Sequence, residues 1–342
     1  MSKTNAGYFF EDYHVGQILT HATPRTLTEG DKSLYTALYP TRFSMTSSQM
    51  VAERAGFQGA LYDDLITFHT VFGKTVPDIS LNAVANLGYA EGQFFKRLSG
   101  NPTLSATSEV IGLKENSNGK TGIVWVRTTG RDEDGDTVVS YVRWVMVRKG
   151  DASAPAPDPV VPDLAKAVSA DALHIPDWLD WSTYDVAASG EPHRFGDYAV
   201  GEIIDHVDGV TLTDPEHMMA TRLWQNTAKV HFDTSARPDG KRLIYGGHII
   251  SMARALSFNG LANAQLLAGI NAGAHANPAM AGDTVYAWSE VLDTAETSNP
   301  HVGALRLRLV ATKGKAGALR GDDGKYLPEV LLDLDYWALM PR

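Results

Sequence analysis

The strongest constraint on the fold is an internal duplication. Residues 10–21, FEDYHVGQILTH, and residues 195–206, FGDYAVGEIIDH, share Phe, Asp, Tyr, Val, Gly, Ile and His at the same places, 185 positions apart. The offset continues without a gap into TLTEGDKSLYTALY (26–39) and TLTDPEHMMATRLW (211–224). Further on, TLSATSEV (103–110) matches TVYAWSEV (284–291) at an offset of 181, a difference of four that loops can absorb. Matches in one order at nearly one offset mean that a whole set of elements recurs, so the chain folds as two similar units. The period is far too long for a stacked solenoid.

At 342 residues the chain has room for two such units, each able to bury a core. Between them lies RKGDASAPAPDPVVPDL (148–164), whose prolines at 155, 157, 159 and 162 favour an extended, ladder-free backbone. Trp178 and Trp181 then imply a connector laid against the units. The expected boundaries are 1–150, a linker over 151–190, and 191–342.

Each unit opens in the same way. Thr28 to Asp31 and Thr213 to Glu216 fit a capping box, in which hydroxyl and carboxylate satisfy the orphan amides of a short helix. YGGHIISMARALSFNGLANAQ (245–265) has apolar residues at helical spacing behind a glycine pair, and reads as one long helix interrupted near Asn259-Gly260. Strand-like runs such as TLSATSEVIGL, GIVWVRTTG, TVVSYVRWVMVRK and EVLLDLDYWALM follow, separated by hydrophilic turns. A helix wrapped by an antiparallel sheet, made twice, is an α+β arrangement.

Composition removes several function classes. The formal charge of −10 and the absence of a lysine or arginine run deny the chain the basic footprint of a nucleic-acid binder. With no cysteine there is no disulfide, thiolate metal site or thiol nucleophile. The start MSKTNAGYFFEDYHVG has no apolar targeting region and no run approaches a membrane span, so a cytoplasmic protein with no membrane partner is expected. The acidic turns RDEDGD and RGDDGK lack the ligand spacing of a calcium loop and read as solvated hairpins. GKT at 73–75 and GKTG at 119–122 lack the first glycine of a phosphate loop, since Phe68 and Lys114 stand there. No other histidine clusters with a carboxylate at ligand spacing, so neither a metal nor a cofactor is expected.

The segment WQNTAKVHFD (224–233) sets His231 five residues after Asn226. An acid at position 226 would make a catalytic pair; an amide does not. Read as a strand, KVHFD puts Asp233 on the face of His231, within reach of it. Taken alone, such a histidine is more often structural or exposed. The repeat changes that weight, because Thr41 and Thr46 stand where the first half would hold Asn226 and His231, and Asp63-Asp64 stand near the counterpart of Gly246-Gly247. By contrast, His21 and His206 recur in both halves and read as structural.

These strings resemble the MaoC-like dehydratases of the double hot dog group, relatives of the (R)-specific enoyl-CoA hydratases. The resemblance rests on VFGKTVPDISLNAVANLGYA, YVRWVMVRK, ATRLWQNTAKVHF and IYGGHIISMARALSFNGLANA and spans essentially the whole chain. It implies two tandem hot dog domains, with the chemistry in the second and a degenerate first half supplying a wall of the groove. In the group, an acid precedes the histidine and a second histidine precedes the helix glycine; here Asn226 and Gly246 occupy those places, which unsettles the usual division of labour.

The resemblance further implies a hydro-lyase acting on a branched, carboxylated acyl-CoA, with mesaconyl-CoA hydrated to β-methylmalyl-CoA in central carbon assimilation. His231 would carry the proton, Asn226 would orient the water, and the Gly247 amide at the positive end of the helix would face the developing oxyanion. Gly246 would let the substrate approach. Arg222 or Arg254 would meet its carboxylate; Lys229, Lys241 or Arg242 would meet the CoA phosphates. A homo-oligomer, a dimer, is expected. Alternatives are an (R)-specific hydratase for another acyl-CoA, a thioesterase using Asp63 or Asp64 to activate water, and a silent acyl-CoA binder.

Overall fold

The structure, a computed structural model, describes residues 3–315 and 317–342. Its first half runs β1 (Ile18–Thr26), α1 (Glu29–Leu38), α2 (Ser44–Ser47), α3 (Gln49–Arg54), α4 (Asp64–Thr75), β2 (Ala83–Phe94), β3 (Thr103–Glu115), β4 (Thr121–Arg131) and β5 (Thr137–Arg148). A short helix, α5 (Val186–Ser189), lies in the connector. The second half runs β6 (Ile203–Thr211), α6 (Asp214–Leu223), α7 (Lys229–Phe232), α8 (Gly246–Leu256), α9 (Phe258–Leu261), β7 (Leu266–His275), β8 (Thr284–Glu296), β9 (Val302–Lys313) and β10 (Val330–Pro341).

The duplication is carried into three dimensions residue for residue at its start. β1 and β6 begin at 18 and 203, α1 and α6 at 29 and 214, and β3 and β8 at 103 and 284. Thr28 and Thr213 are the N-caps of α1 and α6, as the capping boxes require. His21 and His206 play one part twice. Each Nε2 meets a serine on the neighbouring strand at 2.8 Å, Ser108 and Ser289, so both pin the first strand of their half.

All ten strands form one antiparallel sheet in the order β1, β3, β4, β5, β2, β7, β10, β9, β8, β6. The join is β2 with β7, where Tyr89 faces Gly273 and Gln93 faces Gly269. Each half of the sheet wraps its own helix: α4 packs on β1, β3 and β5, and α8 packs on β6, β8, β9 and β10. The halves nonetheless share one apolar core. The largest buried cluster contains Phe68 and Phe72 of α4 together with Ile249 and Met252 of α8. Each such side chain contributes roughly 1.5–3 kcal/mol when fully buried.

The connector lies on the outer face of the sheet. Val160 bridges to Leu113, the Val168 amide donates to Asn271 at 2.8 Å, and the Trp337 indole donates to Val168 at 2.9 Å. Trp181 is buried, and Trp178 stays largely exposed while packing edge-on to Phe57. In the first acidic turn Asp132, Asp134 and Asp136 approach one another, and Lys96 bridges Asp132 and Asp136 at 2.6 and 2.8 Å. Among the described residues no helix is long and apolar enough to cross a membrane.

Two local expectations are corrected. The single long helix over 245–265 stops at Leu256, because Asn259 leaves the helical region (ψ 105°) and Gly260 turns to φ 96°. KVHF is not a strand but the one-turn helix α7. Four residues with polar and apolar side chains in alternation are too few to fix a period, and here tertiary bonds decide it: the Leu243 amide donates to the Val230 carbonyl at 2.9 Å.

Candidate active site

The segment carrying Asn226 is placed by the end of α6. The Gln225 amide donates to the Arg222 carbonyl at 3.1 Å and the Asn226 amide to the Thr221 carbonyl at 2.9 Å. This is a Schellman closure with Gln225 in the left-handed region at φ 54°, a place usually given to glycine. It reverses the chain so that Asn226 points inward, 1% exposed. Its Oδ1 accepts from the Ala228 amide at 3.2 Å, which fixes the orientation of the side-chain amide and leaves Nδ2 as its free donor.

One turn later comes His231. Its Nδ1 lies 2.7 Å from the Leu243 carbonyl. A carbonyl only accepts, so Nδ1 carries the proton and Nε2 keeps its lone pair. Burial lowers the imidazole pKa to about 4, against a partial rise from that hydrogen bond. At neutral pH His231 is an uncharged base.

His231 and Asn226 line a cavity of about 270 Å³ between the halves. The second half adds Tyr245, Gly246, Ile249 and His275; the first half adds Phe72, Ser80, Asn86, Tyr89 and Arg143. Gly246 and Gly247 form the first turn of α8, where amides have no intrahelical acceptor and the helix end is positive. Gly246 faces the cavity, while Gly247 is buried beneath it. A Cβ on Gly247 would lie 2.4 Å from the Tyr245 ring, and one on Gly246 would lie 2.3 Å from the His275 ring.

His275 therefore takes up the space a side chain at 246 would need. Its Nε2 meets the Tyr89 hydroxyl at 3.2 Å, and burial lowers its pKa to about 4. Sequence reasoning passed over it, although the signal was the same as for His231: β2, the counterpart of β7, carries no histidine. Arg143 was also missed. It interrupts an apolar period-2 face of β5 formed by Val139, Tyr141, Val145 and Val147, where a charge calls for a partner.

The remaining expected residues do not gather here. Arg222 is exposed on α6, and Lys229 and Lys241 are exposed near the α7 segment. Arg242 pairs with Asp214. Arg254 is buried away from the cavity, stacked 3.5 Å over the Phe43 ring and donating to Ser257 and Ala264. Asp233 does not reach His231; it is exposed and its Oδ1 accepts from the Ser235 amide at 2.9 Å, because the segment is helical rather than extended.

In the first half, Thr41 and Thr46 bring no titratable group. Asp63 caps α4 through the Leu65 amide at 2.9 Å, and Asp64 pairs with Arg97 at 3.2 Å and accepts from the Leu267 amide at 2.8 Å. Neither lines the cavity.

Comparison with known proteins bears on the fold and the family. The family model described as mesaconyl-CoA hydratase matches residues 2–318. The chain is 65% identical to a mesaconyl-CoA hydratase of Cereibacter sphaeroides over 99% of this chain and 100% of that one. It is 54% identical to a beta-methylmalyl-CoA dehydratase of Chloroflexus aurantiacus over 100% and 99%. Among solved structures, a MaoC domain dehydratase of Chloroflexus aurantiacus superposes with a TM-score of 0.97 at 53% identity, covering 100% of this chain and 99% of that one. A Mycobacterium tuberculosis protein with a double hot dog fold superposes at 0.77 and 24% identity, covering 98% and 99%, which speaks to the fold. With two hot dog units in one sheet and these matches over the whole chain, the chain belongs to the mesaconyl-CoA hydratase family.

Proposed function

We propose that this protein is a hydro-lyase that reversibly hydrates mesaconyl-CoA (2-methylfumaryl-CoA) to β-methylmalyl-CoA. The observation that carries the site assignment is His231: Nδ1 is committed to the Leu243 carbonyl, and Nε2 is a free, neutral base in a largely apolar cavity at the start of α8.

In the hydration direction, His231 Nε2 takes a proton from water as the water oxygen bonds to C3, the carboxylate-bearing carbon. The C2–C3 π pair moves towards the thioester and charge develops on its oxygen. The first-turn amides of α8 face that charge, and one well-placed oxyanion donor is worth about 10²- to 10³-fold. The proton then passes to C2, which closes the balance: one water is added and no group leaves. Asn226 Nδ2 holds the water oxygen. His275 with Tyr89 is a second proton-carrying pair on the same cavity. Lys229, exposed beside the cavity-lining Ala228 and Val230, meets the CoA phosphates.

Incubation with mesaconyl-CoA tests this directly. Loss of conjugated enoyl-thioester absorbance without free thiol is the expected result. Thiol release would establish the thioesterase reading, which the commitment of Asp63 and Asp64 to capping and pairing disfavours. Tight binding with neither signal would mean a silent binder.

A further inference from the structure

Arg143 is 0% exposed and still charged, since a guanidinium does not lose its proton in proteins. Among the described residues no carboxylate lies within 4 Å of it; its recorded partners are neutral. Nη1 donates to Ser80 Oγ at 3.1 Å, and Nη2 donates to Thr75 Oγ1 at 2.7 Å and to Ser80 Oγ at 3.2 Å. The guanidinium also lies 4.3 Å from the Phe72 ring centroid. Its Nε has no partner. A buried cation left without a counter-ion is costly, and hydroxyls and an aromatic face offset only part of that cost. Desolvation accordingly presses its pKa downward.

The surroundings say what completes it. Among the described residues Arg143 is the only formally charged one lining the cavity, and no acid lines it. On the adjacent strand Asn86 lines the same wall, and both its Oδ1 and its Nδ2 are buried without partners. The β2–β5 register places the two together: Asn86 faces Val145, and Tyr89 faces Arg143. A cation and an amide, both short of partners, therefore stand on the first-half wall opposite His231 and the start of α8.

We propose that Arg143, assisted by Asn86, binds the free carboxylate of the substrate and so sets the preference for an enoyl thioester that ends in a carboxylate. This rests on the hydratase reading above. It gives the first half a chemical part, although that half has lost the histidine. With Nη2 committed to Thr75 and Ser80, the donors left for a carboxylate are the unpartnered Nε–H and the Asn86 Nδ2, and a lysine has no nitrogen at the Nε place. The incoming carboxylate supplies the missing counter-ion, and it orients C3 towards the water held by the second half.

The test compares mesaconyl-CoA with 2-methylcrotonyl-CoA, which carries a methyl group in place of the carboxylate. The readout is the ratio of their kcat/KM values for the wild type and for Arg143→Gln. The ratio is expected to fall by about 10²-fold, the loss typical of an ion pair deprived of one partner. Arg143→Lys should recover part of it. A ratio within threefold of wild type in a folded Arg143→Gln protein overturns the proposal. If the variant does not fold, the wild type decides: succinyl-CoA should inhibit at least tenfold more tightly than butyryl-CoA, and equal inhibition overturns the proposal. Inhibition does not require turnover. A wild type that fails to hydrate mesaconyl-CoA yet prefers succinyl-CoA therefore refutes the reaction while supporting the carboxylate site.

Discussion

At the scale of single residues the site turns on one fixed tautomer. His231 is useful because the Leu243 carbonyl holds the proton on Nδ1, so the free nitrogen is always the basic one at neutral pH. Replacing His231 with Ala should lower kcat by about 10²- to 10⁴-fold with a smaller change in KM, read from enoyl-thioester absorbance. The pH profile follows from its depressed pKa. The working form is neutral and becomes protonated as pH falls through about 4. The pH profile of kcat/KM should thus stay level from pH 8 to about 5 and drop below that, measured after rapid pH jumps. A decline that starts near 6.5 would mean an ordinary, solvated imidazole and would contradict the site as described. That His231, Asn226 and Gly246 come together at one cavity was legible in the sequence, because the repeat exposes what only one half possesses. Arg143 on β5 and His275 on β7 belong to different halves, and only β2, which pairs with both strands, brings them to one cavity.

At the scale of elements, α4 does more than fill its half of the sheet. Its Gly73 lies against the backbone of Trp224, and a Cβ there would come within 1.7 Å of the Trp224 carbonyl oxygen. In an exposed helix, Gly→Ala gains about 1 kcal/mol from propensity. Here the clash is with backbone, which cannot swing aside as a side chain can, so packing decides the sign. Gly73→Ala should destabilise by about 1–3 kcal/mol or more. It should also displace the Trp224 to Asn226 reversal, lowering kcat beyond what the stability loss explains; denaturant unfolding and kinetics on the same sample separate the two. Most elements were legible: capping boxes start α1 and α6, and turn residues divide the strands. The exceptions are those whose form is set from outside. α7 is held by Leu243, and the turn after α8 by Glu191 of the connector, whose carboxylate accepts from the Gly260 and Ala262 amides at 2.6 and 3.1 Å.

At the scale of the whole molecule, the two halves meet through neutral histidines. His69 on α4 reaches Ser251 on α8 through Nε2 at 2.9 Å, and His248 on α8 reaches the Tyr39 hydroxyl of the first half at 2.7 Å. The His217 ring lies 6.1 Å from that of His248 and 6.2 Å from that of His231. Burial is the leading cause of the lowered pKa in each: about 3 for His69 and His217, and about 4 for His248, His231, His275 and His206. In the unfolded chain they titrate near 6.5, so between 6.5 and 4 the unfolded state binds more protons and stability falls as the pH falls. One fully buried imidazole shifted from 6.5 to about 4 accounts for about 3 kcal/mol across that window. Asp63 and Asp64 have the opposite sign, because burial raises both carboxyls, Asp63 to about 6, but they are two groups against six. Lowered carboxylates such as Asp214 act only at lower pH. Urea unfolding at pH 7.5, 6 and 5 should therefore show a steep loss of stability well above the carboxylate range. His69→Gln, which keeps a hydrogen-bonding side chain at the α4–α8 contact, should reduce the slope near pH 5 by up to about 1.4 kcal/mol per pH unit. If that slope is unchanged, the buried imidazoles are not what acid acts on.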